Sequence, residues 1–74
     1  VISPREIFAE ALTARAVQII LLHNHPSGDA SPSQEDLNVT RRIKEAGQLL
    51  GIALTDHIII GEHAYVSLRE EHYL

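Results

Sequence analysis

The fold follows from residues 17–36, VQIILLHNHPSGDASPSQED, in which an apolar run passes through a polar loop into a helix start. The run from Val17 to Leu22 is rich in branched aliphatic residues and almost continuously apolar, a pattern that predicts a β-strand covered on both faces. The turn-forming residues 25–32 predict a loop, and Ser33 followed by Asp36 predicts the first turn of a helix. We therefore expect a strand–loop–helix unit.

Further elements are predicted on both sides of this unit. Ser3 as N-cap and Pro4 at the first helical position predict a helix that ends near residue 14 or 15. Gly51 can adopt the left-handed conformation that ends the second helix. The remaining predicted elements are a strand at 52–60, a turn at 61–63, a strand at 64–68 and a helical turn at 69–74. This order predicts an α/β fold, with helices packed on a small, mixed and incomplete sheet.

Length and composition indicate one small domain that needs additional stabilisation. The chain has 74 residues, of which 45% are hydrophobic and 22% charged, as in ordinary soluble domains. A core of this size only marginally offsets the entropy lost on folding. Without cysteine no disulfide can help, which leaves a bound metal, a second copy or another partner chain, or more of the same polypeptide. Because the sequence opens on Val1 and not methionine, we expect residues 1–74 to be a piece of a longer polypeptide.

Charge and hydropathy restrict the partners. Six basic and ten acidic residues give a net charge of −4, which opposes binding to a polyanion, so we expect no nucleic-acid partner for this segment. The basic cluster Arg41, Arg42 and Lys44 has no interleaved aromatic residues and predicts a solvated helix face. The longest apolar run is too short to span a bilayer, and no leader precedes it. We therefore expect a cytoplasmic protein without a membrane partner.

The polar end of the first strand carries a candidate metal site. Because side chains alternate along a strand, His23 and His25 point to one face while Asn24 points to the other. The loop can fold back and bring the first turn of the next helix beside the two imidazoles. Asp36, three residues after the N-cap, then becomes a candidate third ligand.

Two imidazoles and one carboxylate suit Zn²⁺, and three protein ligands leave an open position for water, which zinc would acidify to a pKa of roughly 7. The same donors could hold Fe²⁺. In the alternative interpretation no metal binds: the histidines face solvent at a strand end, Asp36 is favoured by the helix dipole, and Ser33 only caps the helix. The residues alone leave these interpretations open.

The motif also carries a family resemblance. HNHPSG at 23–28, with Pro32, Ser33 and Asp36, resembles the JAMM metal-binding motif of the MPN metalloprotease fold. The flanking SPREIFAEAL at 3–12 and LGIALTDHIIIG at 50–61 are similar to the RadC family in particular, so the likeness covers almost the whole chain. The resemblance implies that His23, His25 and Asp36 coordinate zinc. It also implies that Ser33 helps to stabilise the oxyanion of a tetrahedral intermediate.

The resemblance further implies a metallopeptidase-like hydrolase in which water activated by zinc attacks an amide or isopeptide bond of a peptide substrate. The general base of such enzymes is a glutamate on an upstream strand, which we expect to be missing here. Glu35 lies roughly 100° around the helix from Asp36, and Glu6 and Glu10 are interpreted as solvated helix residues, so no base is assigned. The alternative is a non-catalytic MPN-like interaction module linked to DNA repair.

Three further histidines are considered. His57, in the DHIII stretch, could orient a metal ligand, or it could belong to a strand-end pair with Asp56 that forms local hydrogen bonds. His63 and His72 are interpreted as surface residues.

Overall fold

A computed structural model describes residues 3–74 and places two helices on one face of a three-stranded sheet. The elements are α1 (Pro4–Thr13), β1 (Gln18–Asn24), α2 (Gln34–Leu50), β2 (Ala53–Ile60) and β3 (Tyr65–Ser67). The order in the sheet is β1-β2-β3, with β1 parallel to β2 and β2 antiparallel to β3. The predicted α/β fold with a small mixed sheet is thus confirmed. The prediction that Val1 is not the start of the whole polypeptide concerns a residue that lies outside the described ones.

The helix ends follow the predicted signals. Ser3 caps α1, and its hydroxyl oxygen accepts a hydrogen bond from the Glu6 amide at 3.4 Å. Ser33 caps α2, and Gly51 ends it with φ at 75°. Neither helix of the described part has the length and apolar character that crossing a membrane requires.

The core lies between the helices and one face of the sheet. One buried cluster joins both helices to β2 and consists of Phe8, Ala11, Ile43, Ile52 and Leu54. A smaller cluster beside the β2–β3 end consists of Ala30, Ile59 and Leu68. Ala30 belongs to the loop between β1 and α2, so the second cluster also packs that loop onto the sheet.

The prediction that β1 is covered on both faces is wrong for the described part of the chain. Ile19 and Leu21 pack toward the helices, whereas Ile20 and Leu22 are 56% and 67% exposed. The reason is that α1 and α2 both pack on the same face. Continuous apolarity allows two covered faces, but burial depends on what packs against each of them.

The C-terminal end is less regular than predicted. The third strand spans Tyr65–Ser67 instead of 64–68. In place of the expected final helical turn there is an irregular turn, in which the amides of Glu71, His72 and Tyr73 donate to the carbonyls of Ser67, Arg69 and Leu68 at 3.1, 3.0 and 2.8 Å. His72 then adopts φ of 64°, which the α-helix does not allow.

Strand β2 carries one extra residue relative to β1. Residues 19 and 20 of β1 pair with Leu54 and Asp56, so Thr55 has no partner. The extra residue changes the phase of the alternation between the two faces. Leu54 and His57 are both buried on the helix side, while Asp56 points to the opposite side.

Asp56 anchors the C-terminal turn to the sheet. Its carboxylate accepts hydrogen bonds from the His57 amide at 2.7 Å, the Ser67 hydroxyl at 2.5 Å and the Arg69 amide at 3.0 Å. Burial, the largest single influence, raises the pKa of Asp56, but the hydrogen bonds from Ser67, Arg69 and His57 together outweigh it and lower the pKa. The carboxylate therefore stabilises the fold in its charged form.

Asp56→Asn is expected to lower the free energy of unfolding at neutral pH by roughly 1 kcal/mol, because charge-assisted hydrogen bonds are lost. Since the folded pKa lies below the unfolded value of about 3.9, the stabilisation is present above this pH and is lost as the pH falls through the folded pKa. Urea unfolding of the metal-free protein at neutral and strongly acid pH should therefore show a smaller acid-induced loss in the variant. Glu45→Gln, which removes an exposed carboxylate on α2, is the control. An equal acid-induced loss in Asp56→Asn and the wild type would contradict this role.

Candidate metal site

The predicted ligands meet where β1 ends and α2 begins. His23 lies in β1, and His25 follows it, with the His25 amide donating to the Ile60 carbonyl of β2 at 3.0 Å. Asp36 lies in the first turn of α2 and is only 6% exposed. The donor atoms of His23, His25 and Asp36 all lie within 4.8 Å of one another. The structure thus places these three side chains in one group.

A close contact between two glycines holds the intervening loop in place. The Glu62 amide donates to the Gly28 carbonyl at 3.0 Å, which ties the loop to the turn between β2 and β3. A Cβ atom at Gly61 would lie 2.3 Å from the Gly28 carbonyl oxygen and 3.0 Å from the Ala30 nitrogen. Only glycine at position 61 therefore allows the loop to approach this closely.

The loop backbone fixes the tautomer of His25. Its Nδ1 lies 2.8 Å from the Asp29 carbonyl oxygen, which can only accept, so Nδ1 carries the hydrogen. In the neutral ring, Nε2 then presents a lone pair, and this atom lies 2.9 Å from Oδ2 of Asp36. A lone pair and a carboxylate at this distance require a cation, which is either a proton on His25 or a metal ion. The donors therefore fit a metal ligand set, with His25 oriented by a carbonyl behind it.

His23 contributes a buried nitrogen that has no hydrogen-bond partner among the described residues. Its Nδ1 lies 3.2 Å from Oδ1 of Asp36. The alignment is not that of a hydrogen bond, so this buried atom has no hydrogen-bond partner among the described residues. Since buried polar atoms are almost always satisfied, an ion between His23 and Asp36 would account for it.

Asp36 is held by the helix cap. The Ser33 amide donates to Oδ2 of Asp36 at 2.8 Å, and the Ser33 hydroxyl oxygen accepts from the Asp36 amide at 3.0 Å, which completes a capping box. Burial, the largest single influence, raises the pKa of Asp36, but the hydrogen bonds from Ser33, together with the one from His25 when its Nε2 carries a proton, outweigh it and lower the pKa. The group is therefore an anionic donor at neutral pH.

Ser33, the predicted oxyanion donor, lies exposed at the N-cap of α2 beside Asp36. Its oxygen accepts the Asp36 amide, and its side chain also helps to lower the pKa of the Asp36 carboxylate. Because the hydroxyl is exposed, its hydrogen can turn toward a bound molecule.

His57 lies directly behind the site, in a position that the sequence did not fix. Its side chain is fully buried, and its ring stacks on His23 with centroids 6.0 Å apart and planes 25° apart. Its Nδ1 lies 2.6 Å from Oγ1 of Thr40, a residue that sequence reasoning missed. Burial lowers the pKa of His57, and the charge of His23 lowers it further. The only sequence signal for Thr40 is its spacing of four residues from Asp36, which places both on one helix face.

Of the two alternatives for His57, the structure contains the local bond, since the Asp56 carboxylate accepts the His57 amide. The His57 ring forms its hydrogen bond with Thr40 and contacts the ligand group only through the stack on His23. Thus the ring does not orient a ligand by a direct hydrogen bond.

The other predicted surface residues are exposed. His63 lies 3.8 Å from Glu62, and its side chain is 90% exposed. His72 is exposed as well, and so are Arg41, Arg42, Lys44, Glu6, Glu10 and Glu35. Among the described residues, the donor group contains no glutamate.

Comparison with known proteins agrees with the geometry. The chain matches the RadC-like JAB domain over residues 1–73. It is 58% identical over 74 residues to a UPF0758 protein of Bacillus licheniformis, which covers 100% of this chain and 33% of the relative. It is also 58% identical over 71 residues to a UPF0758 protein of Clostridium botulinum, which covers 96% of this chain and 31% of the relative. The chain thus spans about a third of the length of the curated relatives it matches. The match over residues 1–73 shows that this chain belongs to the family of RadC-like JAB domains.

Proposed function

We propose that this RadC-like JAB domain binds one zinc ion through His23, His25 and Asp36, and that the metal serves hydrolysis of an amide or isopeptide bond. The observation that carries the proposal is the orientation of His25. The Asp29 carbonyl oxygen accepts the hydrogen of Nδ1. The lone pair of Nε2 therefore faces the Asp36 carboxylate, 2.9 Å away. Two imidazole nitrogens and one carboxylate are a donor set that zinc accepts, with a position left for water.

Zinc held there would supply Lewis acidity, which acidifies water and polarises a carbonyl oxygen. The remaining steps belong to the chain itself. Asp36 stays anionic because hydrogen bonds from Ser33 stabilise its charge, and the Asp29 carbonyl holds the His25 ring in one orientation. The exposed hydroxyl of Ser33 would donate to the oxygen that becomes negative when a carbonyl is attacked. The substrate that we propose is a peptide or an isopeptide-linked protein.

The role of Ser33 is testable in the zinc-loaded protein. Ser33→Ala should retain zinc and lose about 1 kcal/mol of stability with the helix cap. If Ser33 donates to the oxyanion, hydrolysis of a fluorogenic peptide or isopeptide substrate should slow by about 100-fold. The matched control is Ser31→Ala, which removes an exposed hydroxyl from the same loop. Equal rates in the two variants would exclude Ser33 as an oxyanion donor.

A second candidate is a non-catalytic MPN-like interaction module linked to DNA repair, in which the group of His23, His25 and Asp36 holds a structural metal or none. The same assay separates the two functions when zinc content is measured in each sample. Full zinc occupancy without turnover supports the non-catalytic module. Turnover that follows zinc content supports the hydrolase.

A further inference from the structure

The extra residue in β2 brings His57 beneath the candidate metal site. If Thr55 were paired and side chains alternated regularly from Leu54 onward, His57 would point to the face that carries no helix. Instead its side chain is 0% exposed and lies among the helix-facing residues. An irregularity of this kind is rare between parallel strands and commonly re-aims one side chain.

The hydrogen bond between His57 and Thr40 has one direction that is compatible with the neighbouring Asp36 carbonyl, while the buried Nε2 of His57 has no hydrogen-bond partner among the described residues. The single hydroxyl hydrogen of Thr40 is donated to the Asp36 carbonyl oxygen at 2.7 Å. Toward His57, 2.6 Å away, the hydroxyl oxygen must therefore accept, so Nδ1 of His57 carries the hydrogen. This bond holds the buried ring in one orientation relative to α2.

Both members of the pair touch the ligand group. Thr40 reaches the backbone of Asp36 one helical turn away. The His57 ring lies along the ring of His23, and His25 lies across that same ring, with centroids 4.8 Å apart and planes at 89°. The imidazole of His23 is therefore confined by one ring parallel to it and another perpendicular to it.

We propose that His57 is a positioning residue for the metal site: its ring, fixed by Thr40, holds the imidazole of His23 in the orientation that turns Nδ1 toward Asp36. The inference rests on the proposed zinc binding. It assigns the buried Thr40–His57 pair to the tuning of metal affinity and not merely to the filling of the core.

The test uses two substitutions that remove the same hydrogen bond from opposite sides. His57→Phe keeps a ring against His23 and loses the donor, whereas Thr40→Val loses the hydroxyl and keeps the shape. Zinc affinity, measured by competition with a chromophoric chelator, should fall about 10-fold in each. Because both changes break one bond, the double variant should show about the loss of one single variant and not the product of the two. The visible spectrum of the Co²⁺-substituted proteins should change in parallel.

Two controls separate positioning from packing. Ser67→Ala removes a similarly buried hydroxyl on the other side of β2. It should lower the stability of the metal-free protein and leave zinc affinity unchanged. Thr40→Ser retains the hydroxyl and should restore wild-type affinity.

The outcomes distinguish this inference from the proposed function. Wild-type affinity in His57→Phe and Thr40→Val overturns the positioning role, even if both variants are less stable, and so do independent losses that multiply in the double variant. A wild-type protein that binds no zinc overturns the proposed function as well.

Discussion

Wild-type protein purified with zinc and then dialysed should retain about one zinc per chain, and His23→Ala/His25→Ala should retain almost none. The physical reason is that the substitutions leave Asp36 as the sole member of the donor group. Loss of the metal should also appear as loss of stability, since a ligand at 100 times its dissociation constant stabilises the folded state by about 2.7 kcal/mol. Elemental analysis and thermal unfolding, with and without added zinc, measure the two effects.

The matched control is His63→Ala/His72→Ala, which removes the same number of imidazoles from exposed positions. It should retain zinc and keep the shift in unfolding temperature. Equal zinc content in the two double variants would refute the assignment of His23 and His25 as ligands.

Gly61→Ala should disrupt the loop that supports the candidate metal site. The added methyl group would lie 2.3 Å from the Gly28 carbonyl oxygen. A Cβ atom and a backbone carbonyl cannot rotate away from each other as flexible side chains can, so the loop must move. We expect the free energy of unfolding to fall by about 3 kcal/mol, as in overpacked cores. Zinc affinity should fall with it, because the displaced loop carries the Asp29 carbonyl that orients His25.

Gly51→Ala provides the comparison in urea unfolding and zinc competition. A Cβ at Gly51 meets no atom within 4 Å, but φ is 75°, so only the conformational cost of about 1 kcal/mol remains. That variant should bind zinc as the wild type does. If Gly61→Ala behaves like Gly51→Ala in both measurements, the close contact of the loop does not support the site.

Local patterns were sufficient to predict the strand–loop–helix unit. The alternation of β1 predicts that His23 and His25 share a face, and the serine at 33 predicts a helix whose first turn carries Asp36. These features depend on neighbouring residues only, and the structure contains them. The family resemblance was accessible for the same reason, since its motif is a continuous stretch of the chain.

Features that depend on distant parts of the chain were not accessible from the sequence. That Thr55 is unpaired depends on how β2 aligns with β1, and no residue within β2 predicts this irregularity. The orientation of His25 depends on a backbone carbonyl, which every residue possesses. Gly61 was interpreted as a turn residue, whereas its neighbour in space is Gly28, far away along the chain. The exposed face of β1 was predicted to be buried because composition does not tell which faces the helices cover.

The double use of the Asp36 carboxylate has a consequence for preorganisation. Oδ2 accepts a hydrogen bond from the Ser33 amide and also faces Nε2 of His25. The hydrogen bond that caps α2 therefore also orients the Asp36 carboxylate toward the histidines. A slip of the helix start by one residue would rotate that carboxylate by roughly 100° and separate it from both imidazoles. The geometry of the donor group is therefore inherited from the N-terminus of α2.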